Sequence, residues 1–472
     1  MPSEKKVMIE VSADLAEAVK RVDEVLGQSL AEIRRESGFD WKKISGAVEA
    51  ATAELEREVT RRLLQACDID AEAIRVNGKR FSQVGRYEAP YFSKAGEVSV
   101  MRSLYREDGK RNAKTVDPVS LKVGALADGW LPETAGAMAF LVQQTTSREA
   151  EAAAKKLGRL PYSRSSFERV THQLGTLHSI EKSHVEDVLI ERYQVAEGAV
   201  SISAQLDRFA VAMEEPKPKP VGRPKKNAPK RPIAVNYRMA FSGTVAVHDK
   251  DGEVLDTIRH GRMPNATADE AAKALAEDVR ALLRKMPGLK VVRLADGGGD
   301  VSDALARNIN RDTLGVDVVD LIDIWHVVEK LAPAAHVIYG DPSTAILESW
   351  KLRLLNSRHA RGQILETLRA SGQEWHSVGK EEPVHDAMTY LVNQAERMNY
   401  VDARKAGLPI GSGVVEANCK SLIQRMRRPG ARWLDESGQH ILDLRALALS
   451  NRFDAAIDLT LAPLHATVRP AA

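Results

Sequence analysis

The sequence predicts a multidomain α/β protein. Three observations carry this. Helical periodicity at both ends brackets a middle where short strands and helices alternate. A chain of 472 residues exceeds one ordinary core, at ~150 residues per domain. And the strand-rich middle is broken by a Pro- and Lys/Arg-rich stretch, residues 214–232, that has no apolar period and reads as an extended loop.

Composition excludes several classes. The two cysteines, Cys67 and Cys419, rule out a disulfide framework and a cysteine-based zinc ribbon. No apolar run is long enough to span a bilayer, so no membrane partner is expected. The N-terminus lacks a signal-peptide hydrophobic region, which predicts a cytoplasmic protein. A net charge of +3 is too small to argue nucleic-acid binding, so local clusters of charge must decide it.

Residues 1–66 read as a helical region. Leu15, Val19, Val22, Leu26, Leu30 and Ile33 recur by threes and fours. The stripe suits a dimerising helix, or a hairpin packed on its own domain, with Gly27 and Gly38 interrupting it. Residues 67–130 read as a small basic β region. Its strands are AIRVNGKRF, VSVMRSLYRED and AKTVDPVSL, and Asn77-Gly78 and Asp108-Gly109 are hairpin signals. Residues 131–195 read as three short helices and a linker helix. Capping boxes open the second at Thr146 and the third at Ser165, and a Gly-containing turn separates them. The pattern fits a helix-turn-helix presenting Arg164, Ser166 and Arg169 to DNA, and equally any three-helix domain.

Residues 196–324 form the expected α/β core. In VSISAQLD the apolar and polar residues alternate, which predicts a half-buried strand ending at Asp207 on its polar face. The loop 214–232 follows; Arg223, Lys225 and Lys226 partly match an AT-hook, and the alternative is a solvated charged loop. Two strands flank Asp251-Gly252, and a helix covers about 267–286. The apolar run KVVRLA ends at Asp296, before Gly297-Gly298-Gly299. The glycines lack dinucleotide-loop spacing. A further strand, VDVVDLID, ends at Asp323 and leads into a helix with Trp325, His326 and Glu329. Residues 325–406 read as a helical insertion. Residues 407–455 complete the core, and 456–472 form a loose tail.

Residues 408–433 carry most of the chemistry. Gly411-Ser412-Gly413 marks a turn with Ser412 as helix N-cap, and Val415, Cys419, Leu422 and Met426 face a core. Glu416 lies on another face, with Lys420 and Arg427 on roughly its side; Arg428, Arg432 and Trp433 follow. A carboxylate beside a cationic helix face suits a divalent metal with phosphates lying across the helix. The plain alternative is a surface helix with an i,i+4 Glu416–Lys420 pair.

The strand and helix order from 200 to 325 resembles the ribonuclease H-like fold. In that fold the strands ending at Asp207 and Asp296 lie side by side, and Glu416 arrives on a later helix. LADGGGD, DIWHVVEKL and LPIGSGVVEANCKSL with RRPGARW resemble the signature stretches of DDE-type insertion-sequence transposases, in the group named after the Kra and Lre elements. The likeness covers about 120–455. It implies a catalytic, metal-binding triad of Asp207, Asp296 and Glu416, with Asp323 and His326 auxiliary. It also implies DNA contacts by Lys420, Arg427, Arg428, Arg432 and Trp433. Arg208 stands where the family's usual stretch has Gly, a departure that bears on Asp207; Asp300 and Asp303 are other candidates for the second acid.

The implied cofactor is Mg²⁺ or Mn²⁺, suited to hard oxygen ligands. The implied function is transposition: binding terminal inverted repeats, hydrolysing a phosphodiester and transferring the 3′-hydroxyl into target DNA. A homodimer or higher oligomer on DNA, in the bacterial cytoplasm at the nucleoid, goes with it. The rivals are a metal-dependent nuclease or resolvase, and a catalytically inactive DNA-binding protein.

Overall fold

The structure, a computed structural model, describes residues 10–35, 38–110, 112–214, 235–296, 299–411 and 413–471, without the side chains of 14 and 413–419. The described chain is mixed α/β and forms two compact units. One comprises residues 1–185 with 454–472, the other residues 186–453.

The first unit opens with a helical hairpin, α1 (Ala13–Ile33) and α2 (Trp41–Cys67). Asp40 caps α2, accepting from the Lys42 and Lys43 N–H groups. Strands β1 (Ala73–Val76), β2 (Lys79–Ser93) and β3 (Gly96–Glu107) form an antiparallel meander. Asn77 and Gly78 both have positive φ, 48° and 86°, as the tight turn between β1 and β2 requires.

Asp108-Gly109 also turns the chain, but no hairpin strand follows, and the expected strand AKTVDPVSL does not form. What returns is a single bridge between Tyr105 and Val116, then helix α3 (Pro118–Val123). Pro118 has no N–H to give a ladder. Asp117 caps the helix instead, accepting from Ser120 N–H at 2.7 Å.

Helices α4 (Pro132–Gln144) and α5 (Ser147–Lys156) follow, α5 opening on the Thr146–Glu149 capping box. The third helix is not short. It is α6 (Arg164–Arg192), 29 residues, and it absorbs the linker. Its only internal breaker, Gly175, costs about 1 kcal/mol against Ala and does not end a helix anchored by buried Phe167, Val170, Leu174 and Val185.

The second unit is built on β4 (Ser201–Glu214), β5 (Val235–His248), β6 (Val254–Arg262), β7 (Lys290–Ala295) and β8 (Val318–Ile322). The order across the sheet is β6-β5-β4-β7-β8. β4, β5 and β6 pair antiparallel; β7 runs parallel to β4, and β8 to β7. Helices α7 (Ala268–Lys285), α8 (Gly299–Asn308) and α9 (Arg311–Leu314) fall between β6 and β8 in the chain. α7 and α8 cover one face, packing on Ile202, Ala204, Leu206 and Val291.

β4 is not half-buried and does not stop at Asp207. Ser201, Ser203 and Gln205 on its polar side are as buried as its apolar residues. Ser203 Oγ pairs with His248 Nε2 at 2.7 Å, which meets the hydrogen-bonding need of that hydroxyl. The strand runs on to Glu214, because β5 stays paired with it throughout while β7 drops away after Leu294.

From β8 the chain enters a helical run: α10 (Ile324–Tyr339), α11 (Ser343–Asn356), α12 (Ala360–Ala370), α13 (Pro383–Asn393) and α14 (Tyr400–Lys405). These share a core of Val327, Leu331, Trp350, Ile364, Leu368 and Leu391. Ala403 and Leu408 then pack on Val292, Leu294 and Leu321, on the sheet face away from α7. Helices α15 (Gly413–Met426) and α16 (Asp435–Leu449) complete this unit, α15 packing on β4, β5 and β6.

The tail expected to be loose is ordered within the first unit. Helix α17 (Phe453–Leu461) places Thr460 Oγ1 3.0 Å from buried His178 Nδ1. Strand β9 (Val468–Pro470) pairs antiparallel with β1.

Candidate active site

The sheet register brings two of the predicted acids together. Gln205 pairs with Leu294 in the parallel ladder. Two residues further along each strand, that register places Asp207 opposite Asp296. Likewise Ala295 pairs with Ile322, so Asp296 and Asp323 occupy equivalent positions at the ends of β7 and β8. The ladder closes there with Asp323 N–H donating to Ala295 C=O at 3.1 Å. Asp296 and Asp323 thus sit just past the ends of parallel strands, the usual place for function in an open α/β sheet, and Asp207 lies within β4 just beyond the end of its parallel pairing with β7.

Asp207 and Asp296 are both exposed. Even so, the protein crowding the Asp207 carboxyl raises its pKa, and the Asp296 charge pushes the same way. The Arg208 backbone N–H, which donates to Asp207 Oδ1 at 2.6 Å, and the charges of His326 and Arg208 oppose that rise. The Arg208 side chain turns to Asp300 instead, at 2.8 Å. Asp300 is therefore paired with a cation, and Asp296 is the second acid felt by Asp207. Asp323 is buried and caps α10, accepting from Trp325 N–H at 2.7 Å. His326, on α10, lies 3.2 Å from Glu329 through Nδ1.

Glu416 lies on α15, and its side chain is outside the described residues, as is Ser412. The helix itself is firmly seated. Leu422 and Met426 are buried, and Ile410 C=O, ahead of the helix, accepts from Ile324 N–H at 3.2 Å. After the helix, Trp433 bridges to β4: its N–H donates to Ala212 C=O at 3.0 Å, and its C=O accepts from Glu214 N–H at 2.8 Å.

Trp433 is therefore not a surface group presented to DNA. It is buried, gives its indole N–H to Met426 C=O at 2.9 Å and lies under Arg425 at 5.1 Å. The local signal, an isolated Trp after a cationic run, does not distinguish a wedge from a contact. Lys420, Arg427 and Arg432 are exposed and Arg428 is half-buried. Arg427 Nε donates to Ala210 C=O at 2.8 Å, close along β4 to Asp207.

In the first unit, Arg164 and Arg169 are exposed near the start of α6. Arg164 donates to Ser147 Oγ at 3.2 Å, Arg169 pairs with Asp128 at 3.3 Å, and Ser166 bonds to Ser163. Arg223, Lys225 and Lys226 lie outside the described residues.

Sequence reasoning missed two tyrosines. Tyr390 on α13 donates its hydroxyl to the Asp296 carbonyl at 3.2 Å. Tyr400 on α14, fully buried, donates to Ile322 C=O at 2.9 Å. Burial, then the Asp296 charge, holds the Tyr390 phenol far above its usual range, so it stays a donor at neutral pH. No local signal marks either residue: each occupies an ordinary helical position beside core residues.

Among the described residues no group of three or more His, Cys, Asp or Glu side chains is placed to hold a metal. Nor, among them, is any helix long and apolar enough to cross a membrane. No protein-family model matches the chain. No curated protein matches it either. Among solved structures it is similar to a Mos1 transposase paired-end complex with left transposon end. The identity is 14%, over 56% of this chain and 75% of that one, with a TM-score of 0.16. A likeness that slight carries no argument about fold or function.

Proposed function

We propose that this chain is a DDE-type DNA transposase, of the group named after the Kra and Lre elements, with a ribonuclease H-like core. The observation that carries the reading is the apposition of Asp207 and Asp296 on neighbouring parallel strands, in a sheet ordered β6-β5-β4-β7-β8. Burial is the first cause of the raised Asp207 pKa, and the Asp296 charge adds to it, as a neighbouring carboxylate does. The donor set of Asp207, Asp296 and Glu416, all hard oxygens, fits Mg²⁺ or Mn²⁺. Asp323, buried under the α10 N-terminus where it accepts from Trp325 N–H, would be an auxiliary group, and the His326 charge lowers the Asp207 pKa.

In this reading Asp207, Asp296 and Glu416 would hold the divalent ions. Bound there, such ions supply an activated water or 3′-hydroxyl and stabilise the leaving oxygen at phosphorus. Lys420, Arg427, Arg428 and Arg432 would hold phosphates along the exposed side of the segment leading from α15. The α6 start and the 214–232 loop would contact element ends, and two ends held together imply a dimer or larger assembly.

The test is cleavage of DNA carrying the element's own terminal repeats in Mg²⁺, wild type against Glu416→Gln. Wild type should cleave. The variant should bind that DNA and lose at least ~100-fold in cleavage, since several kcal/mol of transition-state stabilisation go with a metal ligand. Joined products distinguish a transposase from a nuclease. Equal cleavage by both proteins would sink the triad, and binding without any cleavage would favour an inactive DNA-binding protein.

A further inference from the structure

We propose that the helical run 324–406 positions the Asp296 carboxylate, with the Tyr390 hydroxyl as the positioning group. This rests on the reading of Asp296 as a metal ligand and goes beyond it by giving the insertion a task.

Asp296 stands outside the ladder of its own strand. It is the first residue past β7, and in sequence Gly297-Gly298-Gly299 follows, the residues with the greatest backbone freedom. The bond from Tyr390 comes from a different element, α13. That element has its own anchors: Val384, Ala387 and Leu391 are buried in the helical core, and the Tyr390 ring packs against the same cluster. The ring is therefore fixed from behind while its hydroxyl reaches the Asp296 carbonyl.

Asp296 is exposed, so water could satisfy that carbonyl equally well. What the tyrosine adds is not satisfaction of a buried group but a fixed location for the residue bearing the carboxylate. Two further ties hold the same edge. Tyr400 bonds to Ile322 C=O, and Arg397 pairs with Asp320 at 3.1 Å, which also takes Arg293 at 2.7 Å. Of these, only Tyr390 touches a residue of the proposed triad, so positioning and general stability can be separated.

The experiment is a Mn²⁺ titration of the full chain without DNA, followed by the loss of the free-ion paramagnetic resonance signal, with thermal unfolding of each variant alongside. Tyr390→Phe keeps the ring in the core and removes only the donor. It should raise half-saturating Mn²⁺ about fivefold, as loss of one hydrogen bond predicts, with little change in Tm. Tyr400→Phe should do the reverse, lowering Tm and leaving Mn²⁺ affinity unchanged. Wild-type affinity in Tyr390→Phe would overturn the inference. So would an equal loss in Tyr400→Phe, which would mean general loosening. Asp296→Asn is the control on the underlying reading: if it binds Mn²⁺ like wild type, the metal assignment fails and the positioning role falls with it.

Discussion

Asp207 shows how a residue chosen for chemistry bears on stability. Its folded pKa is raised, first by crowding and then by Asp296, so the fold favours the protonated form. The sign follows from linkage. Its favourable contribution is complete below the ordinary carboxylate pKa and is lost as pH rises through the higher folded value. At neutral pH without metal, ionised Asp207 therefore costs stability. Asp207→Asn should raise Tm at pH 7.5 in chelator by about 1–2 °C, a modest figure because the carboxylate reaches solvent. The difference should vanish near pH 3, where the acid is protonated in both states. Saturating Mn²⁺ should reverse it, because only wild type keeps the full ligand set. Differential scanning fluorimetry across pH and Mn²⁺ checks this, and a lower Tm for the variant in chelator at neutral pH would refute it.

At the scale of elements, what was legible in the sequence was whatever local pattern decides. β7 could be read to the residue because KVVRLA is a short apolar run ended by Asp and Gly. The capping box at Thr146 forms as its spacing implies, whereas the one expected at Ser165 does not, because α6 already begins at Arg164 and Ser163 Oγ takes the Ser166 N–H at 3.4 Å; the hairpin turn at Asn77-Gly78 needs residues tolerant of positive φ. What was not legible depends on distant partners. The extension of β4 past Asp207 exists because β5 continues beside it, and the buried state of Ser203 depends on His248, 45 residues away. Trp433 belongs with these. Its backbone adds to β4 and its indole bonds to α15, which ties the Glu416-bearing helix to the strand of Asp207. Trp433→Ala should cost about 3 kcal/mol, the usual loss for a buried Trp truncation. Trp433→Phe should cost about 1 kcal/mol, for the lost bond to Met426. Urea unfolding would measure both; an unchanged midpoint for the Ala variant would show that the segment is not tethered as described.

At the scale of the whole molecule, the chain leaves its first unit, builds the second and returns to the first. The return could not be read from the tail alone: Val468, Arg469 and Pro470 are too few to show an alternation, and what makes them a strand is the open edge of β1. That edge needs covering, since an unpaired strand edge is a template for association. The tail makes Ile74, Arg75 and Val76 an interior strand, and Asn77 N–H finds its acceptor in Thr467 C=O at 3.1 Å. It also supplies Thr460 to the buried His178 ring, which would otherwise lack that partner at a cost of about 1–3 kcal/mol. Deleting residues 454–472 should therefore act on the first unit alone. In hydrogen–deuterium exchange, peptides covering β1 and the middle of α6 should lose protection by tenfold or more, as a loss of about 1.4 kcal/mol predicts. Peptides covering β4 and β7 should be unchanged, and so should half-saturating Mn²⁺, because the acids lie wholly in the second unit. Loss of protection throughout the sheet of the second unit would mean that the two units fold as one cooperative body. Unchanged protection at β1 would mean that β9 contributes nothing to the edge it covers.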